Sequence, residues 1–367
     1  MIIPASVLGK RSRKLHNEPN HPISIMKRNI YAYFDSTGTK FAKHDNLSEV
    51  VSTHDNFDAL LIPKDHPARS QSDTYYIDDT NVLRTHTTAH QHALLSSGAR
   101  DFLVTGDVYR KDEVNKTHYP VFHQMEGVTK VPPGMDASKF LTELMTALAQ
   151  WLFPGTSCRM NDDSFPFTTP SYEMEVWFNG QWLEVLGCGV VHPNILARHN
   201  ITENLVAWGL GLERLCMVLY DIPDIRLFWT EDPRFVKQFT CGACKFVPYC
   251  RFQPAYRDLS MWIPADDIQE DTMHWKHTNA FCEKVRELSA DVVRSVDLYD
   301  KFFHPKRQRY SHTFRLEYDP VDADIVATPK DLACLATQTT ALLKGMGYRA
   351  PGRGNPMINR TCKSTRV

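Results

Sequence analysis

Residues 108–128 read VYRKDEVNKTHYPVFHQMEGV, and this stretch decides the fold. A β-rich run ends at Tyr109, another begins at Val121, and a short charged segment joins them, which is the pattern of an antiparallel pair. Arg110 stands where the first strand ends, and a guanidinium there can fork two oxygens of a phosphate. Phe122 on the returning strand offers a flat face to a purine, a stack that contributes about 1–3 kcal/mol per base. Gln124 and Glu126 are two apart, so they share one face and could hold an ammonium group. An ordinary surface hairpin explains any one of these residues. It does not explain Arg110, His118, Phe122, Gln124 and Glu126 so close together.

The flanking sequence extends the sheet. Phe102–Tyr109 and Val121–Thr129 read as the paired strands, and Leu83–Ser97 reads as a helix stopped by Gly98. Asp136 is placed to cap a helix whose face carries Phe140, Leu144, Leu148 and Trp151. Met174–Phe178 and Gln181–Val185 flank Asn179-Gly180, whose two residues suit the positive φ angles of a type I′ hairpin turn. Upstream, Met26, Ile30 and Phe34 recur at helical spacing. This mixed order predicts an α+β protein built on an antiparallel sheet and excludes a Rossmann arrangement.

Four ordered segments between residues 84 and 214 resemble the motifs of the class II aminoacyl-tRNA synthetases, in particular the phenylalanyl-tRNA synthetases. Residues 108–128 resemble motif 2, and Gly209-Leu-Gly-Leu-Glu-Arg214 resembles motif 3. Leu83-Arg-Thr-His-Thr-Thr-Ala-His-Gln91 is similar to the family's RTHT segment, and Phe165-Pro-Phe167 to its aromatic clamp. The helix carrying Met26, Ile30 and Phe34 resembles motif 1, a dimer interface in many relatives. In the single-chain mitochondrial type it is expected to pack internally, giving a monomer.

The resemblance implies ATP-dependent activation of phenylalanine and its transfer to tRNA(Phe). Attack by an amino-acid carboxylate on the α-phosphate needs alignment and charge stabilisation more than a general base, which suits arginines. Arg110 and Arg214 are the implied catalytic residues, with Thr117, His118, Tyr119, Phe122 and Glu184 around ATP. Glu184 is the candidate ligand for the Mg²⁺ that accompanies ATP. The carboxylate usual after the clamp is replaced by Thr169, so the rest of the metal shell is open. Phenylalanine is expected against His86, Thr88, Ala89, His90, Gln91, Gln124, Met125, Glu126, Phe165, Phe167, Ala207, Trp208 and Gly209. Ala207 is the expected pocket floor. His86 and His90 are four apart, but Thr87 stands where H-E-x-x-H has its Glu, so they read as hydrogen-bonding groups.

The final hundred residues read β-α-β-β-α-β, with strands over 258–264, 296–302 and 309–318, helices over 281–292 and 331–344, and a short last strand before the tail. This is the ferredoxin-like split βαβ pattern, and it resembles the anticodon-binding domain of the same family. Lys301, Lys306, Arg307, Arg309, Tyr310 and Arg315 are the candidate tRNA-binding residues there. The expected organisation is a basic leader or tail at 1–20, a catalytic domain at 21–235, a linker at 236–250, the anticodon-binding domain at 251–352 and a basic tail at 353–367. Lys10, Arg11, Arg13 and Lys14 with no acid before Glu18 fit an organelle-targeting leader or its remnant, or a disordered basic terminus, and the family resemblance implies the mitochondrial matrix.

With 42 Lys and Arg against 43 Asp and Glu, the chain has no global attraction for nucleic acid, so any RNA surface must be local. The charge is uneven: after Asp331 no acid follows, while Lys344, Arg349, Arg353, Arg360, Lys363 and Arg366 do. No run approaches the roughly 20 apolar residues of a membrane span. Cys241, Cys244 and Cys250 lack a second pair at finger spacing, so no structural metal is expected. Neither G-x-x-x-x-G-K-[ST] nor G-x-S-x-G occurs, which leaves P-loop and serine-hydrolase chemistry without support. The alternative to an enzyme is a synthetase-like protein that binds RNA without catalysis.

Overall fold

The structure is a computed structural model. It describes residues 3–318 except 12, 241–243, 250–254, 270–273, 290–291 and 307–308, together with positions 337 and 341. Seven strands form one sheet, in the spatial order Ala42–His44, Phe102–Tyr109, Val121–Lys130, Leu205–Gly211, Gln181–Val191, Thr168–Phe178 and Cys158–Asp163. Only the edge strand Ala42–His44 runs parallel to its neighbour; every other pair in the sheet is antiparallel. The expected α+β architecture is therefore present. The hairpin turn is where the sequence put it, with Asn179 at φ 49° and Gly180 at φ 83°.

Behind the sheet, Pro22–Ser36 is a helix capped by His21, and Met26, Ile30 and Phe34 are all fully buried. Ala137–Leu152 is capped by Asp136, whose Oδ1 accepts from the Lys139 N–H at 2.8 Å. Its buried face differs from the expected one: Leu141, Met145, Leu148, Ala149 and Leu152 face the core, while Trp151 is 45% exposed. The sequence offered two overlapping apolar stripes. The Trp151 indole settles the choice by donating to Asn29 Oδ1 at 2.9 Å at the rim.

The expected helix over 83–97 is broken. Asn81–Leu83 is a strand, Thr87–His90 a 3₁₀ turn, and only Gln91–Ser96 is α-helical. Arg84 is the cause. Its buried guanidinium donates to the Asp107 carbonyl at 2.7 Å and to Asp107 Oδ1 at 3.1 Å, which holds the chain extended across the sheet. Gly106 makes room for it, since a Cβ there would lie 1.9 Å from Arg84 Nη2.

The basic N-terminal stretch is docked rather than loose. Arg11 pairs with Glu49 at 2.6 Å, Arg13 donates to the Trp229 carbonyl at 2.8 Å, and Val7 and Leu15 are buried. The expected linker also packs on the core, with Phe239 and Phe246 buried and the Phe246 N–H donating to the Tyr220 carbonyl at 2.7 Å.

The C-terminal unit has its own core, including Met261, Trp275, Phe281, Phe314 and Leu316. Its strands Ala255–Ile263, Arg309–Tyr318 and Val293–His304 lie in that spatial order, and the helix is Thr278–Ser289. First-third-second is the order of the corresponding strands in a split βαβ fold. The helix expected at 331–344 lies outside the described residues save for 337 and 341, as do the last strand and the basic tail. Val114, from the loop between the two central strands, is buried in this second core, and Arg286 donates to the Glu113 carbonyl at 2.8 Å.

Candidate active site

Alternation along Val121–Lys130 sends Phe122, Gln124 and Glu126 to one face, and sends His123 and Met125 to the helices behind. In front lies a cavity of about 800 Å³. It brings together Arg110, Thr117, His118, Tyr119, Phe122, Gln124, Glu126, Glu184 and Arg214 with His86, Thr88, Phe165, Phe167, Ala207, Trp208 and Gly209. Segments nearly 130 residues apart in sequence thus converge on one site.

At one end of the cavity sit the arginines. The Arg110 Nε donates to the Thr85 carbonyl at 2.7 Å, which fixes the guanidinium and leaves its outer nitrogens for a ligand. The same guanidinium lies 5.3 Å from the centroid of the Phe122 ring. Arg214 opens the helix Leu212–Leu219 and is half-exposed, with one nitrogen 3.2 Å from Glu184 Oε2. In the connecting loop, Asn115 Oδ1 accepts from the Thr117 and His118 N–H groups at 2.9 and 2.8 Å, so His118 is held on a tight turn and exposed. Tyr119 is buried instead, its ring stacked on Trp229.

At the other end are buried polar side chains and a pair of aromatic rings. Burial raises the Glu126 carboxyl to about 8, against the pull of the Thr88 and Thr87 hydroxyls. Gln124 Oε1 is buried without a hydrogen-bond partner, an acceptor that a bound ammonium would satisfy. Burial, helped by the charge of Arg110, lowers His86 to about 3, so it is a neutral hydrogen-bonding imidazole. Phe165 and Phe167 lie parallel, ring centroids 5.8 Å apart. Gly187 permits this clamp, since a Cβ there would meet the Phe165 ring at 3.0 Å.

Four of the residues assigned from the sequence fall outside the cavity lining. Ala89 packs in a small core under the site, and Met125 packs in the main core behind the sheet. His90 Nε2 lies 2.8 Å from Arg84 and props that side chain. Gln91 is buried beside the site, with neither amide atom paired. Trp208 lines the cavity and also belongs to the main core, its indole stacked on Phe34 with centroids 5.0 Å apart.

Two carboxylates were not assigned from the sequence. Glu173 lines the cavity beside Glu184; partial burial and the charges of Glu184 and Asp163 raise its carboxyl above the ordinary value. The pair fits a divalent cation carried by a triphosphate. Glu173 shares the alternation of the Thr168–Phe178 strand, a faint signal that sequence reading could have used. Glu213 is buried and binds both the backbone N–H and the imidazole of His123. No sequence signal marks that pairing.

On the C-terminal sheet, Lys301, Lys306 and Arg309 are exposed and Tyr310 packs 4.9 Å from Phe303. Arg315 is engaged: it forms a bidentate pair with Asp258 at 2.7 and 2.8 Å and lies 3.6 Å from the Tyr299 ring centroid. Arg307 lies outside the described residues. Tyr256, Tyr299, Phe302 and Phe303 are exposed aromatics that the sequence reading passed over.

A positively charged clamp, an aromatic slot and a buried carboxylate on an antiparallel sheet are what an enzyme that joins an amino acid to a nucleotide requires. Residues 8–239 match the class II core domain (F) of the tRNA synthetases, and the chain belongs to that family. Within it the chain sits among the phenylalanine–tRNA ligases of mitochondrial type. It is 46% identical over 338 residues to the chloroplastic/mitochondrial phenylalanine–tRNA ligase of Arabidopsis thaliana, covering 88% of this chain and 76% of that one. The mitochondrial phenylalanine–tRNA ligase of Mus musculus is 42% identical, covering 85% and 77% respectively. That of Saccharomyces cerevisiae is 33% identical, covering 90% and 88%.

Proposed function

We propose that the protein activates L-phenylalanine with ATP to phenylalanyl-adenylate and transfers the phenylalanyl group to tRNA(Phe), as a monomer in the mitochondrial matrix. One observation carries the reading. Arg110, Arg214, the Phe165–Phe167 clamp and the Gln124–Glu126 pair line one cavity, so a nucleotide phosphate and an aromatic amino acid can meet there.

In this reading the phenylalanine ammonium sits against Gln124 and Glu126, with His86 and Thr88 beside it, and the phenyl ring meets Phe165 and Phe167 over Ala207. Adenine stacks on Phe122. Arg110 grips the α-phosphate, where negative charge builds as the carboxylate attacks and pyrophosphate leaves. Arg214 holds the far phosphate, and His118 and Thr117 reach phosphate oxygens from the loop. Magnesium would be held by Glu184 and Glu173 and would neutralise the triphosphate charge. Among the described residues no helix is long and apolar enough to cross a membrane.

For tRNA, the reading uses the C-terminal sheet. Lys301, Lys306 and Arg309 offer phosphate contacts, and Tyr299, Phe302 and Phe303 offer stacking faces for unpaired bases. Exchange of labelled pyrophosphate into ATP, run across all amino acids, tests the activation step. Phenylalanine-dependent exchange is expected. Its absence with every amino acid would favour the non-catalytic RNA-binding alternative.

A further inference from the structure

Three histidines and an aspartate meet on the surface behind the amino-acid pocket. His54 and Asp55 lie on the short helix Thr53–Asn56, His92 on the helix Gln91–Ser96, and His199 caps the end of the helix Pro193–Arg198. One ligand atom from each of His54, Asp55 and His92 lies within 4.8 Å of the others. His92 Nδ1 and His199 Nε2 are 3.3 Å apart, with ring centroids at 4.9 Å. The His54 and His92 rings are 5.5 Å apart, edge to face.

Side chains of this type are not drawn together by apolar burial, and as cations they would repel one another. Asp55 Oδ2 accepts from Ser52 Oγ at 2.6 Å, which orients the carboxylate and leaves Oδ1. His54 Nδ1 lies 3.9 Å from Asp58 Oδ2, beyond hydrogen-bonding distance, so that contact does not hold the exposed ring.

We propose that His54, Asp55 and His92, completed by His199, form a binding site for a divalent transition-metal ion of the zinc type. Imidazole nitrogens with one carboxylate suit zinc, copper or nickel better than magnesium or calcium. Two ligand atoms on one tetrahedral zinc ion stand about 3.4 Å apart, given metal–nitrogen distances of about 2.0–2.1 Å. The cluster, whose ligand atoms lie within 4.8 Å of one another, therefore closes by up to about 1.4 Å, through rotation of the exposed His54. His199 acts either as fourth ligand or as the group that fixes the His92 tautomer. The ion would tie together three segments distant in sequence, one of which follows directly on the Thr87–His90 turn that faces Glu126.

Calorimetric titration of the chelator-stripped full-length protein with Zn²⁺ tests the site, and cobalt spectra of the same protein identify the ligands. One equivalent is expected, with d–d bands of a nitrogen–oxygen site and slowed hydrogen exchange over residues 91–96. His54→Ala and His92→Ala should each weaken binding at least about tenfold, while His277→Ala on the C-terminal unit leaves it unchanged. His54 is exposed, so its variant stays folded and keeps the test valid if His92→Ala does not. Unchanged affinity in the His54 variant, or a thiolate-to-cobalt charge-transfer band that assigns the ion to cysteines, overturns the proposal.

Discussion

Glu213 accepts a hydrogen bond from the backbone N–H of His123 at 2.7 Å and lies 2.7 Å from that residue's Nδ1, with both side chains buried. One carboxylate thereby fastens the helix that carries Arg214 to the strand that carries Phe122 and Gln124. It sets the spacing between Arg214 and Phe122 across the cavity.

Replacing Glu213 with Ala leaves two buried donors without a partner, each costing about 1–3 kcal/mol. Glu213→Gln keeps the shape but offers one acceptor oxygen where two are used. In pyrophosphate exchange, Glu213→Gln should raise KM for ATP several-fold while KM for phenylalanine stays near wild type. Equal rises in both would mean that the pair serves stability alone, which chemical denaturation would reveal separately.

Arg110 is held through Nε by the Thr85 carbonyl, so its two outer nitrogens form a fork of fixed direction. A lysine supplies a point charge and no fork. Arg110→Lys should lower the rate of adenylate formation by about 10²–10³-fold, the range for losing one preorganised donor to developing charge. Phenylalanine binding, measured by fluorescence or calorimetry, should change little. Near-normal exchange would remove Arg110 from the phosphate.

Glu126 sets a pH dependence. In the free enzyme its carboxyl is raised to about 8, so at pH 6 it is mostly protonated and cannot pair with an ammonium group. The bound ammonium favours the ionised form, so binding releases a proton. KM for phenylalanine should therefore fall as pH rises from 6 towards 8 and level off above that. Stability should move the other way. The folded state holds this proton more tightly than the unfolded chain, whose glutamates titrate near pH 4.3, so Glu126 costs stability increasingly as pH rises from about 4 to 8. Glu126→Gln should flatten the pH profile of KM. A profile unchanged in that variant would assign the titration elsewhere.

The sheet was legible because its signals are local. Strand alternation placed Phe122, Gln124 and Glu126 on one face, and Asn179-Gly180 marked its own turn. What escaped was tertiary. Arg84 breaks the expected helix by reaching Asp107, 23 residues on, and His90 is drawn from the pocket to support it. Trp151 and Leu152 offered equivalent apolar stripes until packing against the sheet chose one. Glu213 and His123 are 90 residues apart, and nothing in either neighbourhood announces the other. The docking of Arg11 and Arg13 likewise depends on Glu49 and on the Trp229 carbonyl, which no local pattern announces.

If the C-terminal sheet binds tRNA as proposed, its variants separate RNA binding from chemistry. Lys301 and Arg309 are exposed near the end of the Val293–His304 and Arg309–Tyr318 hairpin, on a unit with its own core. Arg315, by contrast, is held by Asp258 and braces the Tyr299 ring, so its loss would disturb the surface as well as its charge. The cleaner variant is therefore Lys301→Glu with Arg309→Glu. Removing one cation from a phosphate should lower the slope of log affinity against log salt by about one. The double variant should raise KM for tRNA and flatten its salt dependence, while phenylalanine-dependent pyrophosphate exchange stays at the wild-type rate. Val114 sits in the C-terminal core and belongs to the same loop as His118, so that exchange rate also reports whether the unit remains docked. If exchange and circular dichroism are unchanged and tRNA charging keeps its full salt dependence, tRNA does not bind this face.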